Sequence, residues 1–206
     1  TTAAPTETIP VTAVAASAAS APPGACAADW TLRAKVAQLV MPGVRGQDLA
    51  VATGTLAGLG VGGVIVMTWP GDGTPESLAT LKHSTAVPML LAVDEEGGDV
   101  QRLRQLGVLP SAARIAATMT PAEAEVLVAA HAALVATLGF DIVFAPVVDI
   151  VPRDSDGIIG DGIIGDRSFG FAPAAVSAFA VAYVEAWQSA GVLPVLKHFP
   201  GHGRAS

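Results

Sequence analysis

VPMLLAVDEEGG, residues 87–98, runs an unbroken apolar stretch straight into three acids and two glycines. A run this short, apolar at successive positions and bounded by turn formers, is what a strand covered on both faces requires. Its polar end is then a strand's C-terminal end. VGGVIVMTW (61–69) is a second run of the same kind, bounded by glycines. FDIVFAPVVDI (140–150) and VLPVLKHF (192–199) read as further strands, ending near Asp149 and at Lys197.

Helical patterns separate these strands. TLRAKVAQLV (31–40) places Leu32, Val36, Leu39 and Val40 on one face. GTPESLATLKHS supplies Thr74 as an N-cap and Pro75 at the first helical position. TPAEAEVLVAAHAALVATLG (120–139) is the clearest helix: Thr120 caps it, Pro121 starts it, Glu123 completes a capping box and Gly139 closes it. The helix from Pro173 turns Val176, Phe179, Ala180, Tyr183 and Trp187 inward. Apolar strands alternating with helices predict an α/β fold with a parallel sheet. Polar and glycine-rich residues gather at the strands' C-terminal ends, the edge where both a (β/α)8 barrel and an open doubly wound sheet build sites. That placement does not choose between the two. No G-x-G-x-x-G follows the first strand and no P-loop occurs, which removes the usual nucleotide readings.

Composition fits a well-buried domain. Of 206 residues, 51% are hydrophobic and 14% charged, and the net charge is −7. No Lys/Arg cluster occurs, which argues against nucleic acid and against a basic membrane-binding face. No apolar run is long enough to span a bilayer, and no signal peptide of the basic-then-apolar kind is present. Residues 1–28 are rich in Ala, Thr, Ser and Pro without period, and read as a flexible tether ahead of a folded portion over 29–206. Such a tether suits an exported protein. Cys26 is the lone cysteine, which in a secreted chain points to a partner elsewhere. DGIIG occurs twice in tandem, at 156–160 and 161–165, and reads as an insertion tolerated by a surface loop.

Three segments carry candidate chemistry. In AVDEEGGDVQRL (92–103), Asp94 is the last residue before the turn and faces the mouth of a site at the strand ends. In GDRSFG (165–170), Arg167 is either a surface ion-pair residue or a rigid fork for sugar or carboxylate oxygens. In KHFPGHG (197–203), Lys197 and His198 are neighbours that point to opposite faces of a strand unless it ends there, and Pro200 and Gly201 provide an ending. His131 lies on a helical face with Leu127, Leu134 and Leu138 and reads as structural; His83 reads as solvated.

DEEGGDVQRL, FAPVVDI, GDRSFG and KHFPGHG, in this order and at these spacings, resemble the glycoside hydrolase family 3 β-N-acetylhexosaminidases of the NagZ type over residues 31–206. The P-G-H-G ending resembles the N-acetylglucosaminidase branch, and the tether resembles that of exported, lipoprotein-like members from actinobacteria. The resemblance implies a (β/α)8 TIM barrel, of which this chain holds about five β/α units. It implies a retaining β-N-acetylglucosaminidase acting on terminal GlcNAc of a glycan or muropeptide from peptidoglycan, in the cell envelope or secreted, with no cofactor and no metal. By it, Asp94, Arg102, Arg167, Lys197 and His198 match the residues that hold the terminal sugar. Asp99 departs from the family's usual Arg and reverses a charge beside the site.

The family's acid/base His, in a DSH segment after P-G-H-G, and its nucleophile Asp, in a later SD motif, have no match before Ser206. The expectation is that the chain alone does not hydrolyse glycosides, that a C-terminal remainder carries both groups, and that any membrane attachment runs through a lipid anchor upstream of the tether. The competing reading is a non-catalytic sugar-binding or interaction module built from a partial barrel. Against it, an unclosed barrel leaves a strand edge and apolar helix faces exposed.

Overall fold

The computed structural model describes residues 27–69, 74–151 and 162–202. The tether through residue 26, Cys26, the first DGIIG copy and residues 203–206 lie outside the described residues. The strands are β1 (Gly43–Arg45), β2 (Gly63–Thr68), β3 (Leu90–Val93), β4 (Glu95–Gly97), β5 (Val100–Gln101), β6 (Ile142–Val143) and β7 (Leu193–Pro194). The helices are α1 (Leu32–Ala37), α2 (Leu49–Leu59), α3 (Thr74–Lys82), α4 (Ala112–Thr118), α5 (Pro121–Thr137) and α6 (Pro173–Ser189).

Five strands pair in parallel in the order β1-β2-β3-β6-β7, while β4 and β5 form a separate antiparallel ribbon. Each sheet strand lies beside the one that precedes it along the chain, and the winding never reverses. A doubly wound sheet needs that reversal. Sequential parallel order with helical crossovers is the arc of a (β/α) barrel, so the order of the strands decides what the sequence left open. Among the described residues, β1 and β7 are its two edges.

Burial explains why the strands form. Val64, Val66, Leu91, Ala92, Val93 and Val143 are inaccessible or nearly so, under Leu78 and Leu81 of α3 and Val128, Ala132 and Val135 of α5. Full burial of one such side chain contributes about 1.5–3 kcal/mol. The predicted inward face of α6 is buried as expected, with Phe169 stacked on Phe179 at 5.2 Å and set edge-on to Tyr183 at 5.1 Å. The α5 capping box is complete, and Gly139 takes φ 86° just past the helix, a left-handed conformation that glycine adopts without penalty.

Four expectations are corrected. The apolar face of α1 exists but buries nothing: Leu32, Val36, Leu39 and Val40 are all exposed, because no described element packs on it. The buried face of α5 runs through Ala124, Val128, His131, Ala132 and Val135, while Leu134 is exposed. α3 begins at Thr74 itself, so the residue flanking it lies outside the described residues. The strand read over 140–150 is ordered as a ladder only at Ile142–Val143, with one further bridge from Val147 to Lys197. Pro146 between them has no N–H to donate.

The edge at β7 is apolar and open. Ile150, Val181, Leu193 and Leu196 are exposed there, and Val148, Ile150, Val176, Ala180, Val184 and Leu196 line a groove of about 490 Å³ along α6. These are the exposed edge and helix face that an unclosed barrel entails.

Candidate functional site

The site grows from the end of β3. Past Val93 the chain stays extended through β4, so alternate side chains point to opposite sides. Asp94 and Glu96 turn one way and Glu95 the other. Gly97 (φ 98°) then turns the ribbon; a Cβ there would lie 2.3 Å from the Pro110 carbonyl oxygen. No L side chain fits.

Glu95 is buried outright and works as a clamp. Its Oε2 accepts the backbone N–H groups of Arg102 (2.9 Å) and Leu103 (3.0 Å), and its Oε1 meets Gln101 Nε2 (2.9 Å) and His131 Nε2 (2.8 Å). His131 is therefore structural, as predicted, held between Glu95 and the edge of Trp187. The clamp fixes the backbone of Arg102. The Arg102 Nε is buried with no hydrogen-bond partner, and an orphaned buried donor costs about 1–3 kcal/mol until an oxygen reaches it.

On the other side, charges alternate. Lys197 Nζ lies 2.7 Å from Asp94 Oδ1 and also contacts Glu96 Oε1. Arg167 grips Glu96 with two parallel hydrogen bonds, Nε to Oε2 and one terminal nitrogen to Oε1, each 2.8 Å. Those bonds to Glu96 hold the guanidinium above its ordinary value against the opposing effect of burial, and the charges of Glu96, Asp94 and Asp149 add to the rise. The same terminal nitrogen lies 3.2 Å from His198 Nε2. His198 Nδ1 in turn meets Asp149 Oδ2 at 2.7 Å. Arg167 is thus an ion-pair residue, but a largely buried one whose two nitrogens form a fork on the protein's own Glu96.

Lys197 and His198 both enter this network, and the ladder ends at Lys197, ahead of Pro200 and Gly201, which were expected to end it. The reason is a hydrogen bond: the His198 N–H goes to Asp149 Oδ2 (3.1 Å) rather than to a strand carbonyl, and the His202 N–H goes to Asp149 Oδ1 (2.6 Å). The Lys197–His198 peptide is cis, as are Ala145–Pro146 and Phe199–Pro200.

Four of the five predicted site residues thus meet in one network: Asp94, Arg167, Lys197 and His198. Arg102 is not brought into it: its backbone N–H is held by Glu95, which turns to the other side of the strand. Sequence reasoning missed Glu96, the shared partner of Lys197 and Arg167, and Asp149, the partner of His198. The two-residue period of a strand, which sets Glu96 on the side of Asp94, was the signal for the first. Asp99, expected to reverse a charge beside the site, is fully exposed and 4.0 Å from Arg104. His83 is exposed, as predicted.

The glycosyl hydrolase family 3 N terminal domain matches residues 31–206. The beta-hexosaminidase LpqI of Mycobacterium tuberculosis is 42% identical over 184 residues, which cover 84% of this chain and 44% of that protein. The crystal structure of a family 3 glycosyl hydrolase from Mycobacterium smegmatis superposes with a TM-score of 0.75 at 40% identity, over 87% of this chain and 53% of the other. The beta-N-acetylhexosaminidase of Beutenbergia cavernae superposes with a TM-score of 0.73 at 30% identity, over 86% of this chain and 56% of the other. The chain spans about half the length of these relatives.

Proposed function

Because the chain belongs to glycosyl hydrolase family 3 through its N-terminal domain, we propose that it supplies the sugar-holding part of a retaining β-N-acetylglucosaminidase that removes terminal GlcNAc. The observation that carries the reading is the alternating chain Asp94–Lys197–Glu96–Arg167–His198–Asp149 at the C-terminal ends of the strands. Each cation in it is already matched by a carboxylate. An anionic ligand would have to displace Asp94 or Glu96, whereas a neutral polyol can donate to the carboxylates and accept from Lys and Arg without breaking the pairs.

In this reading Asp94 accepts from vicinal hydroxyls, and Arg102, Arg167, Lys197 and His198 engage the remaining oxygens and the N-acetyl group. Contacts of this kind strengthen as the ring flattens toward an oxocarbenium-like transition state. The carboxylates at this edge are committed: Asp94 and Glu96 to Lys197 and Arg167, Asp149 to His198 and two backbone N–H groups, and Glu95 to the clamp. The nucleophile therefore comes from outside these carboxylates, and in this reading the 206-residue chain alone binds sugar without cleaving it. The composition of residues 1–28 supports an exported or envelope-attached protein, and a GlcNAc-terminated peptidoglycan fragment is the substrate such a location offers.

A chromogenic β-N-acetylglucosaminide and a calorimetric titration with GlcNAc test this together, with intact mass confirming the species. The expected result is saturable binding, lost on Asp94→Ala, with no chromophore released. Turnover by a pure 206-residue species refutes the assignment of the catalytic groups. Absence of binding by a monodisperse protein refutes the sugar reading.

A further inference from the structure

Two neighbours decide which nitrogen of the His198 ring carries hydrogen. Nδ1 lies 2.7 Å from Asp149 Oδ2, and a carboxylate only accepts. Nε2 lies 3.2 Å from a terminal nitrogen of Arg167, and a guanidinium only donates. Hydrogen on Nε2 would set two donors against each other, and an Nδ1 without hydrogen would set two acceptors 2.7 Å apart. One arrangement satisfies both contacts: the neutral ring with hydrogen on Nδ1. The Asp149 carboxylate also accepts the N–H groups of His198 (3.1 Å) and His202 (2.6 Å), and its side chain is 3% exposed, so its orientation is fixed from several directions.

We propose that Asp149 is a positioning residue: it holds His198 as the Nδ1–H tautomer, so that Nε2 presents a lone pair beside Arg167, and it seats the 198–202 turn on which that ring stands. A carboxylate that orients a functional imidazole through its second nitrogen is a recurrent device. The groups facing the ring are Asp149, Arg167 backed by Glu96, and the His202 ring, edge-on at 5.2 Å. What this does for a ligand rests on the sugar reading above: a hydroxyl or amide N–H is accepted at Nε2 only by taking the place of the Arg167 N–H on its one lone pair, and a carbonyl finds no donor there.

Nuclear magnetic resonance of the chain carrying isotopically labelled histidine reads the tautomer directly, with the His198 signals assigned from the spectrum of His198→Gln. The expected pattern is a protonated, pyrrole-type Nδ1 and a pyridine-type Nε2; hydrogen on Nε2 in the unsubstituted chain overturns the proposal. Asp149→Asn keeps the shape and turns one acceptor into a donor. It should shift hydrogen toward Nε2 and weaken GlcNAc binding by about ten- to a hundredfold, with circular dichroism reporting the fold. If Asp149→Asn folds and retains both tautomer and affinity, Asp149 does not position the ring and the proposal fails. If Asp149→Asn does not fold, the unsubstituted spectrum still decides. An Nδ1–H ring in a chain that binds no GlcNAc sinks the sugar reading and leaves the tautomer assignment standing.

Discussion

Replacing Glu96 with glutamine tests whether the charge network holds the site together. The carboxylate is 5% exposed, and its cationic partners Lys197 and Arg167 are 13% and 20% exposed. Glu96→Gln keeps the volume, removes the charge and offers the Arg167 fork one acceptor oxygen where it had two. Exposed ion pairs are worth about 0.2–1 kcal/mol, and stranding one member of a fully buried pair costs about 3–5 kcal/mol. Lys197 keeps Asp94 at 2.7 Å, and Arg167 keeps some access to water, so the cost falls between those limits, at about 2–3 kcal/mol. In a chain of this length that lowers the thermal midpoint by about 5–10 °C. Circular dichroism on heating measures it, and GlcNAc calorimetry on the same samples should show binding weakened together with stability. Repeating the substitution in an Arg167→Met background, where the fork is already gone, should reduce the cost by about 1–2 kcal/mol. A midpoint within about 1 °C of the unsubstituted chain, or full additivity with Arg167→Met, refutes the reasoning.

Glu95→Gln turns one side of the clamp into a donor facing the donors it now satisfies. It should cost about 2–4 kcal/mol and speed amide exchange at Arg102 and Leu103; an unchanged urea midpoint with protection retained there counts against the clamp. At the start of α5, hydrogen bonds from the Thr120 N–H and hydroxyl hold the Glu123 carboxyl below its ordinary value. Its contribution is therefore fully present above the unfolded value of about 4.3 and is lost as pH falls through the lowered one. Protection of the first-turn amides should drop over that acid range, and Glu123→Ala should flatten the drop; the same acid profile in both proteins excludes this origin. Arg167 adds no pH dependence in this range, because its raised value keeps it charged throughout.

Legibility followed the distance over which each decision is made. The α5 helix was readable from Thr120 to Gly139 because the cap and first-turn proline at one end and the left-handed glycine at the other each act within a few residues of the end they define. The buried face of α6 was readable for the same reason: its period belongs to the helix. The α1 face was equally periodic and yet lies exposed, since periodicity states which residues share a side and not whether anything covers it. In the site, the residue types and the edge were legible. Glu96 was not distinguished from Glu95, although one is a bridge between two cations and the other a buried clamp. Their difference lies in which side of one extended strand faces the network.

The sequence by itself determined α1, α3, α5 and α6, the existence and chain order of β2, β3, β6 and β7, and the edge at which acids, glycines, arginine, lysine and histidine collect; α2, α4 and β1 came only with the structure. Only the tertiary structure decided that these strands lie side by side in chain order as a barrel arc, rather than reversing as in a doubly wound sheet. The same folding joined Lys197 to Asp94 across 103 residues, Arg167 to Glu96 across 71 and His198 to Asp149 across 49. Hydrophobic period and capping are properties of one element. A charge pair between strand ends depends on which strand lies next to which, and the packing of α2 through α6 into one core with the sheet sets that.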